Sequence, residues 1–178
     1  MATAEEPELS RSLHARLEAS FVANVDAVYN VAYRVLWNAD DAEDVVQSSF
    51  VKAFTRLGQL EDDAKARPWL LQIAYREAIA IIRRRRDVPT DPTEMPETVS
   101  AERSPDERAI GADIAGKIST ALLQLGEDER IAVVLRDVEQ LSMREVAGVL
   151  DIGISAAKMR VHRGRAELRR LLSLAEVY

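Results

Sequence analysis

Two groups of side chains in this sequence have the chemistry to hold a nucleic acid. Near the C-terminus, Ser155, Lys158, Met159, Arg160 and Arg163 follow a short break at Asp151-Ile152-Gly153. Serine, lysine and arginine on the first turns of a helix reach phosphates or base edges, and a methionine can touch a thymine methyl. In the first half, residues 65–87 carry seven basic and two acidic side chains around Trp69 and Tyr75. Cations that follow a backbone, beside aromatics that stack on bases, are what a single strand requires. The plain alternatives are a packed αα-hairpin in the first case, and core aromatics next to a solvated basic face in the second.

Other chemistry lacks its residues. There is no cysteine, so disulfides, thiolate zinc sites and cysteine nucleophiles are excluded. The two histidines, His14 and His162, are far apart and share no HExxH spacing. No glycine-rich phosphate loop and no nucleophile–base pair stands out, so neither an enzyme nor a cofactor or metal is expected. No run of about 18 apolar residues is present, so no membrane insertion is expected. The first residues, MATAEEPELS, are acidic without an apolar core, unlike a secretory signal. The cytoplasm is the expected compartment.

The overall charge argues against a nucleic-acid partner, and its distribution reverses that argument. The chain has 178 residues, 47% hydrophobic and 30% charged, with a net charge of −6. By segment, residues 1–64 carry net −7, 65–87 net +5, 88–108 net −4, 109–140 net −3 and 141–178 net +3. Two basic islands therefore lie in an acidic chain, and local field, not the total, attracts phosphates. The surrounding acidity is expected to discourage DNA binding until a partner positions the islands.

The elements that must carry these islands are helices. Strand alternation is absent and glycine is sparse, so the fold class is all-α. Val88–Arg108 holds four of the six prolines and no helical period, which reads as an extended acidic linker. It separates an N-terminal domain, 1–87, from a C-terminal domain, 109–178. In the first, Phe21–Trp37 reads as a helix buried through Phe21, Val25, Val28, Tyr29, Ala32 and Leu36. A second, Ala42–Leu57, is capped by Asp40 or Asp41 and buried through Ala42, Val45, Val46, Phe50, Ala53, Phe54 and Leu57. It leaves Asp44, Gln47, Ser48, Val51 and Lys52 outward. Arg67-Pro68-Trp69 opens a third helix, which ends in four arginines.

The C-terminal domain holds the sharper motif. A helix through Ile110, Ile114, Ile118, Ala121, Leu122 and Leu125 closes at Gly126. Glu127-Asp128-Glu129 start the next, where the helix dipole favours carboxylates. Ser142 and Glu145 have capping-box spacing before a stripe of Met143, Val146, Ala147 and Leu150. After Asp151-Ile152-Gly153, Ser155 is placed to cap a basic helix running to about Leu172. Two helices, a tight glycine-containing turn and a basic second helix make a helix-turn-helix.

On these residues the chain resembles the extracytoplasmic-function sigma factors, the small two-domain specificity subunits of bacterial RNA polymerase. LSMREVAGVLDIGISAAKMRVHRGRAELRRLL is similar to the family's region 4 helix-turn-helix, ADDAEDVVQSSFVKAF to its region 2.2, and RPWLLQIAYREAIAIIRRRR to regions 2.3 and 2.4. The resemblance implies that Asp44, Gln47, Ser48, Val51 and Lys52 bind core RNA polymerase. It implies that Lys65, Arg67, Trp69, Tyr75, Arg76, Ile79, Arg83 and Arg84 open and read the −10 promoter element as single strand. The loop from Gly58 to Ala66 would help enclose an extruded base. Ser155, Lys158, Met159, Arg160 and Arg163 would read the −35 element as duplex, the linker would thread toward the RNA path, and an anti-sigma factor would occlude both domains. The chain departs from the family at Arg76 and Ala80 in the third helix, at Asp151 in the turn, and at Ala156 and Ala157 opening the last helix.

Two other functions compete. A helix-turn-helix regulator would bind duplex DNA without polymerase, at half-sites mirroring its own symmetry. A small helical enzyme lacks any recognisable catalytic group.

Overall fold

The computed structural model describes residues 5–56, 58, 60, 62–87 and 109–175, which are helical apart from short connections. The chain divides into two compact units, Met1–Pro89 and Thr90–Tyr178. The expected linker, Leu57, and the side chains of Ile110 and Ile114 lie outside the described residues.

The first unit is built from α1 (Glu5–Leu36), α2 (Ala39–Thr55) and α3 (Ala66–Asp87), each packed on the other two, with a 3-10 turn at Asp63–Lys65 leading into α3. Helix α1 begins well before Phe21, and its buried stripe is Leu17, Phe21, Val28, Val31, Ala32 and Val35. Val25, Tyr29 and Leu36, expected in the core, are only half-buried. Alanines and valines scattered around α1 allow two stripes, and packing against α2 and α3 chooses the one that continues back to Leu17.

Helix α2 is capped by Asn38, whose Oδ1 accepts the Asp41 N–H at 2.9 Å, and not by Asp40 or Asp41. Those two aspartates occupy the first turn, where their charge suits the dipole. Its covered positions are Ala42, Val45, Ser49 and Ala53. Phe50 meets Phe21 edge-on at 5.0 Å between ring centroids, and Phe54 lies tilted against Phe50 at 4.9 Å and His14 at 5.2 Å. Aromatic pairs at such distances add attraction beyond their buried area. In α3 the core takes Ala66, Leu70, Leu71, Ile73, Ala74 and Ala78.

The second unit comprises α4 (Ala109–Gln124), α5 (Glu127–Val133) continued by a π-helical turn at Val134–Val138, α6 (Met143–Leu150) and α7 (Ile154–Ala175). Helix α7 packs on α4, α5 and α6. The Ser142–Glu145 box forms in both directions: the Glu145 N–H donates to Ser142 Oγ at 3.3 Å and the Ser142 N–H to Glu145 Oε2 at 2.7 Å. Val146, Ala147, Val149 and Leu150 are buried while Met143 is half-buried. Helix α6 then ends with Asp151 in the left-handed region at φ 56°, ψ 46°. The Asp151 N–H donates to Gly148 O at 3.3 Å and the Ile152 N–H to Ala147 O at 3.0 Å, the paired bonds of a Schellman stop.

Candidate nucleic-acid interface

The turn sets the direction of α7. Its left-handed residue is Asp151, a conformation aspartate tolerates better than most side chains. Gly153 has no positive φ and open space around it. Helix α7 starts at Ile154, one residue before the expected cap, so Ser155 lies inside its first turn with its side chain exposed.

Helix α7 buries Ala157, Val161 and Gly164 against the unit. Ser155, Lys158, Met159 and Arg163 all point outward, with Met159 52% exposed. Arg160 stands apart: its guanidinium is ion-paired at 2.8 Å with Asp128 at the start of α5, and its side chain is only 27% exposed. Arg165 forms a two-bond contact with Asp137 of the π-turn, at 2.9 and 2.5 Å, and the bond raises its already high pKa. The basic helix thus splits into cations tied to acids of the same unit and cations directed outward. His162 is exposed between Met159 and Arg163 and extends the outward face.

The fit of α7 onto α5 depends on one residue that helical periodicity does not reveal. Gly164 is buried, and a Cβ there would lie 2.6 Å from Val133 Cγ2 and 3.0 Å from the Glu129 carbonyl oxygen. Only glycine allows so close a backbone approach.

On α3, Trp69, Arg76 and Arg83 recur every seven residues, which stacks them on one stripe about two turns apart. Ile79 falls between the two arginines, and Gln72 between Trp69 and Arg76. Arg76 and Arg83 are exposed, and Trp69 and Ile79 half-buried. Lys65 is exposed on the 3-10 turn just before the helix, and Arg84 is exposed at its end. Tyr75 is half-buried on the flank of the stripe. Arg67 lies about 180° round the helix from Arg76. Its Nη1 donates to Asn24 Oδ1 of α1 at 3.0 Å, so it braces the helix pair away from the stripe. Gln72 was not among the expected residues, although the seven-residue spacing already points to its position.

On α2, Asp44, Gln47, Ser48 and Val51 share the solvent side at helical spacing. Val51 is 60% exposed, an apolar side chain set among polar ones. Ser48 Oγ donates to Val45 O at 3.2 Å within the helix. Lys52 lies at the edge of this stripe and is ion-paired with Glu77 of α3. Among the described residues no cluster of histidine and carboxylate groups could hold a metal ion. No helix among the described residues is long and apolar enough to cross a membrane.

These faces lie within segments that match known sequence families. The Sigma-70 region 2 family matches residues 21–88, and the family described as Sigma-70, region 4 matches residues 115–168. The RNA polymerase sigma factor CarQ of Myxococcus xanthus is 31% identical over 160 residues, covering 90% of this chain and 91% of CarQ. The ECF RNA polymerase sigma factor SigW of Bacillus subtilis is 29% identical over 156 residues, covering 83% of each chain. In fold, the chain resembles the Bartonella quintana sigma factor RpoE solved with the anti-sigma factor NepR, with a TM-score of 0.67 and 23% identity over 88% of this chain and 96% of that one. CnrH, solved with the cytosolic domain of CnrY, gives a TM-score of 0.63 and 24% identity over 93% of this chain and 97% of that one. With both sigma regions present in order and a relative matched almost end to end, the chain belongs to the extracytoplasmic-function sigma factors, the subunits that direct RNA polymerase to promoters.

Proposed function

We propose that this protein acts as a non-enzymatic specificity subunit with a division of labour among three segments, 1–87, 88–108 and 109–178. In the first, the α2 stripe of Asp44, Gln47, Ser48 and Val51 docks on core RNA polymerase, with Lys52 at its margin. The α3 stripe of Trp69, Arg76, Ile79 and Arg83, flanked by Lys65, Tyr75 and Arg84, opens the −10 element and holds it as single strand. Aromatic stacking and backbone cations together supply that kind of grip without a deep pocket. Arg67 supports the stripe from behind through Asn24. In the last segment, Ser155, Lys158, Met159 and Arg163 read the −35 element in the major groove, and Arg160 is aimed by Asp128. The acidic segment 88–108 threads toward the RNA path.

The observation that most directly supports this reading is Val51. A 60% exposed valine within a polar stripe, on the helix next to the basic one, suits a protein partner better than solvent. The net charge of −6 supports the dependence on that partner, because the two basic islands work against the field of the rest of the chain. The compartment is the cytoplasm, where polymerase works, and an anti-sigma factor covers the same faces. Size exclusion of the purified protein with core polymerase tests the docking stripe. A stable complex is expected from the wild type and at least about tenfold weaker binding from Val51→Asp or Gln47→Lys, with helical content unchanged. Undiminished affinity in both variants would refute the stripe. Tight footprinting of duplex DNA without core would favour a helix-turn-helix regulator.

A further inference from the structure

Within the run Arg83-Arg84-Arg85-Arg86, Arg85 is engaged with protein. Arg85 Nη2 donates to both carboxylate oxygens of Asp41, at 2.8 and 2.6 Å. The Asp41 side chain is 18% exposed and that of Arg85 56%. The acid therefore sits in a partly dehydrated position, where an ionised group needs a partner. This contact ties the first turn of α2 to the last turn of α3. Further along α2, Lys52 is tied to Glu77 nearer the middle of α3. The ties advance along α2 while they retreat along α3, as expected for antiparallel neighbours. The covered positions of α2 are all small, namely Ala42, Val45, Ser49 and Ala53. Short side chains make shallow ridges and grooves, which fix the register of a helix pair less firmly than long ones. The charged ties supply that register.

We propose that Asp41 and Arg85 form a positioning pair for −10 recognition. The pair holds the last turn of α3, with Arg83 and Arg84, at a set place relative to the polymerase-facing stripe of α2. Arg85 is then a positioning residue and not a phosphate contact, and Asp41 favours DNA binding although it is an acid close to the basic face. This inference rests on the promoter reading above.

The rival role, Arg85 as a phosphate contact, predicts the opposite sign for one substitution. If Arg85 touches DNA, Asp41→Asn removes a repelling charge, releases the arginine and tightens binding. If the pair positions α3, the same substitution weakens binding. The test uses the full chain assembled with core polymerase. Its probe is a fluorescein-labelled single strand covering the −10 element of a promoter mapped by sequencing holoenzyme transcripts, titrated by fluorescence anisotropy. Asp41→Asn and Arg85→Ala are each expected to weaken strand binding roughly threefold, in keeping with a half-exposed ion pair. The double variant should be no worse than either single one, because both remove the same tie. Core affinity should stay within about twofold of wild type, since the α2 stripe is untouched.

Arg85→Lys provides a second measurement, because lysine keeps the charge but cannot fork across two carboxylate oxygens. Weakened binding supports positioning, and wild-type binding supports a phosphate contact. Unchanged or tighter strand binding by Asp41→Asn overturns the proposal. So do equal losses of core and strand affinity together with a lowered melting temperature, which would make the pair a general fold tie. A wild-type protein that forms no complex with core overturns the promoter reading and this inference with it. That failure is distinguishable because no holoenzyme exists to titrate.

Discussion

Replacing Gly164 by alanine sets two effects of known sign against each other. Alanine is the better helix former, worth about 1 kcal/mol over glycine in the middle of a helix such as α7. Against this, the new Cβ would sit 2.6 Å from Val133 Cγ2, 3.0 Å from the Glu129 carbonyl oxygen and 3.4 Å from its carbon. Ordinary carbon–carbon contact lies at about 3.5–4.0 Å, so the methyl overlaps one neighbour by roughly 1 Å. Val133 is itself buried, and the Glu129 carbonyl is backbone inside α5, so neither can simply swing aside. Overpacking of this kind costs about 1–3 kcal/mol, and a backbone neighbour points to the upper part of that range. The net expectation is a destabilisation of about 1–2 kcal/mol, with α7 pushed off α5. Hydrogen exchange of the full-length protein, followed by peptide, reads this without isolating either unit. Peptides from α5 and α7 should exchange roughly 5- to 30-fold faster, and those from α1–α3 should not change. Adding Val133→Ala removes the 2.6 Å contact but leaves the carbonyl at 3.0 Å, so the rescue should be partial at best. Equal or better protection of α5 and α7 in Gly164→Ala would mean that helix propensity prevails and that the close approach is not a constraint.

Two further predictions concern the same unit. Asp151 holds φ 56° at the turn, so Asp151→Val should destabilise the unit by about 1–2 kcal/mol and by more than Asp151→Gly, measured as exchange of α6 and α7 amides. Lys158→Ala and Arg163→Ala should each reduce the salt dependence of holoenzyme binding to a −35 duplex by about 0.9 in log–log slope, whereas Arg160→Ala, already paired with Asp128, should change it less.

What the sequence made legible was mostly what lies within a few residues. The Ser142–Glu145 box spans three positions, and both of its hydrogen bonds form as its residue types require. The acids at the start of α5 and the outward place of Val51 and Met159 follow equally from local spacing. The start of α1 was not legible, because its alanines and valines admit more than one apolar stripe and only contact with α2 and α3 selects Leu17. The cap of α2 was misplaced by two or three residues, since Asn38, Asp40 and Asp41 are all competent caps and only geometry chooses among them. At the turn, glycine drew attention to position 153, while the left-handed backbone falls on Asp151. Least visible were the long-range partners. Arg67 with Asn24, Arg85 with Asp41 and Arg160 with Asp128 join positions dozens of residues apart, and they divide the cations into braces and outward-facing groups. A basic run shows how many charges are present but not which of them the fold consumes.

As a sigma factor, the protein should give core polymerase promoters that core cannot find alone. Transcription reconstituted from purified core and this protein on fragmented genomic DNA, with the 5′ ends of the transcripts sequenced, tests it most directly. Discrete start sites that share upstream −10 and −35 elements are expected, absent when core or this protein is omitted and absent with Val51→Asp. Start sites identical with and without the protein, or a holoenzyme that initiates only at random ends, would contradict it.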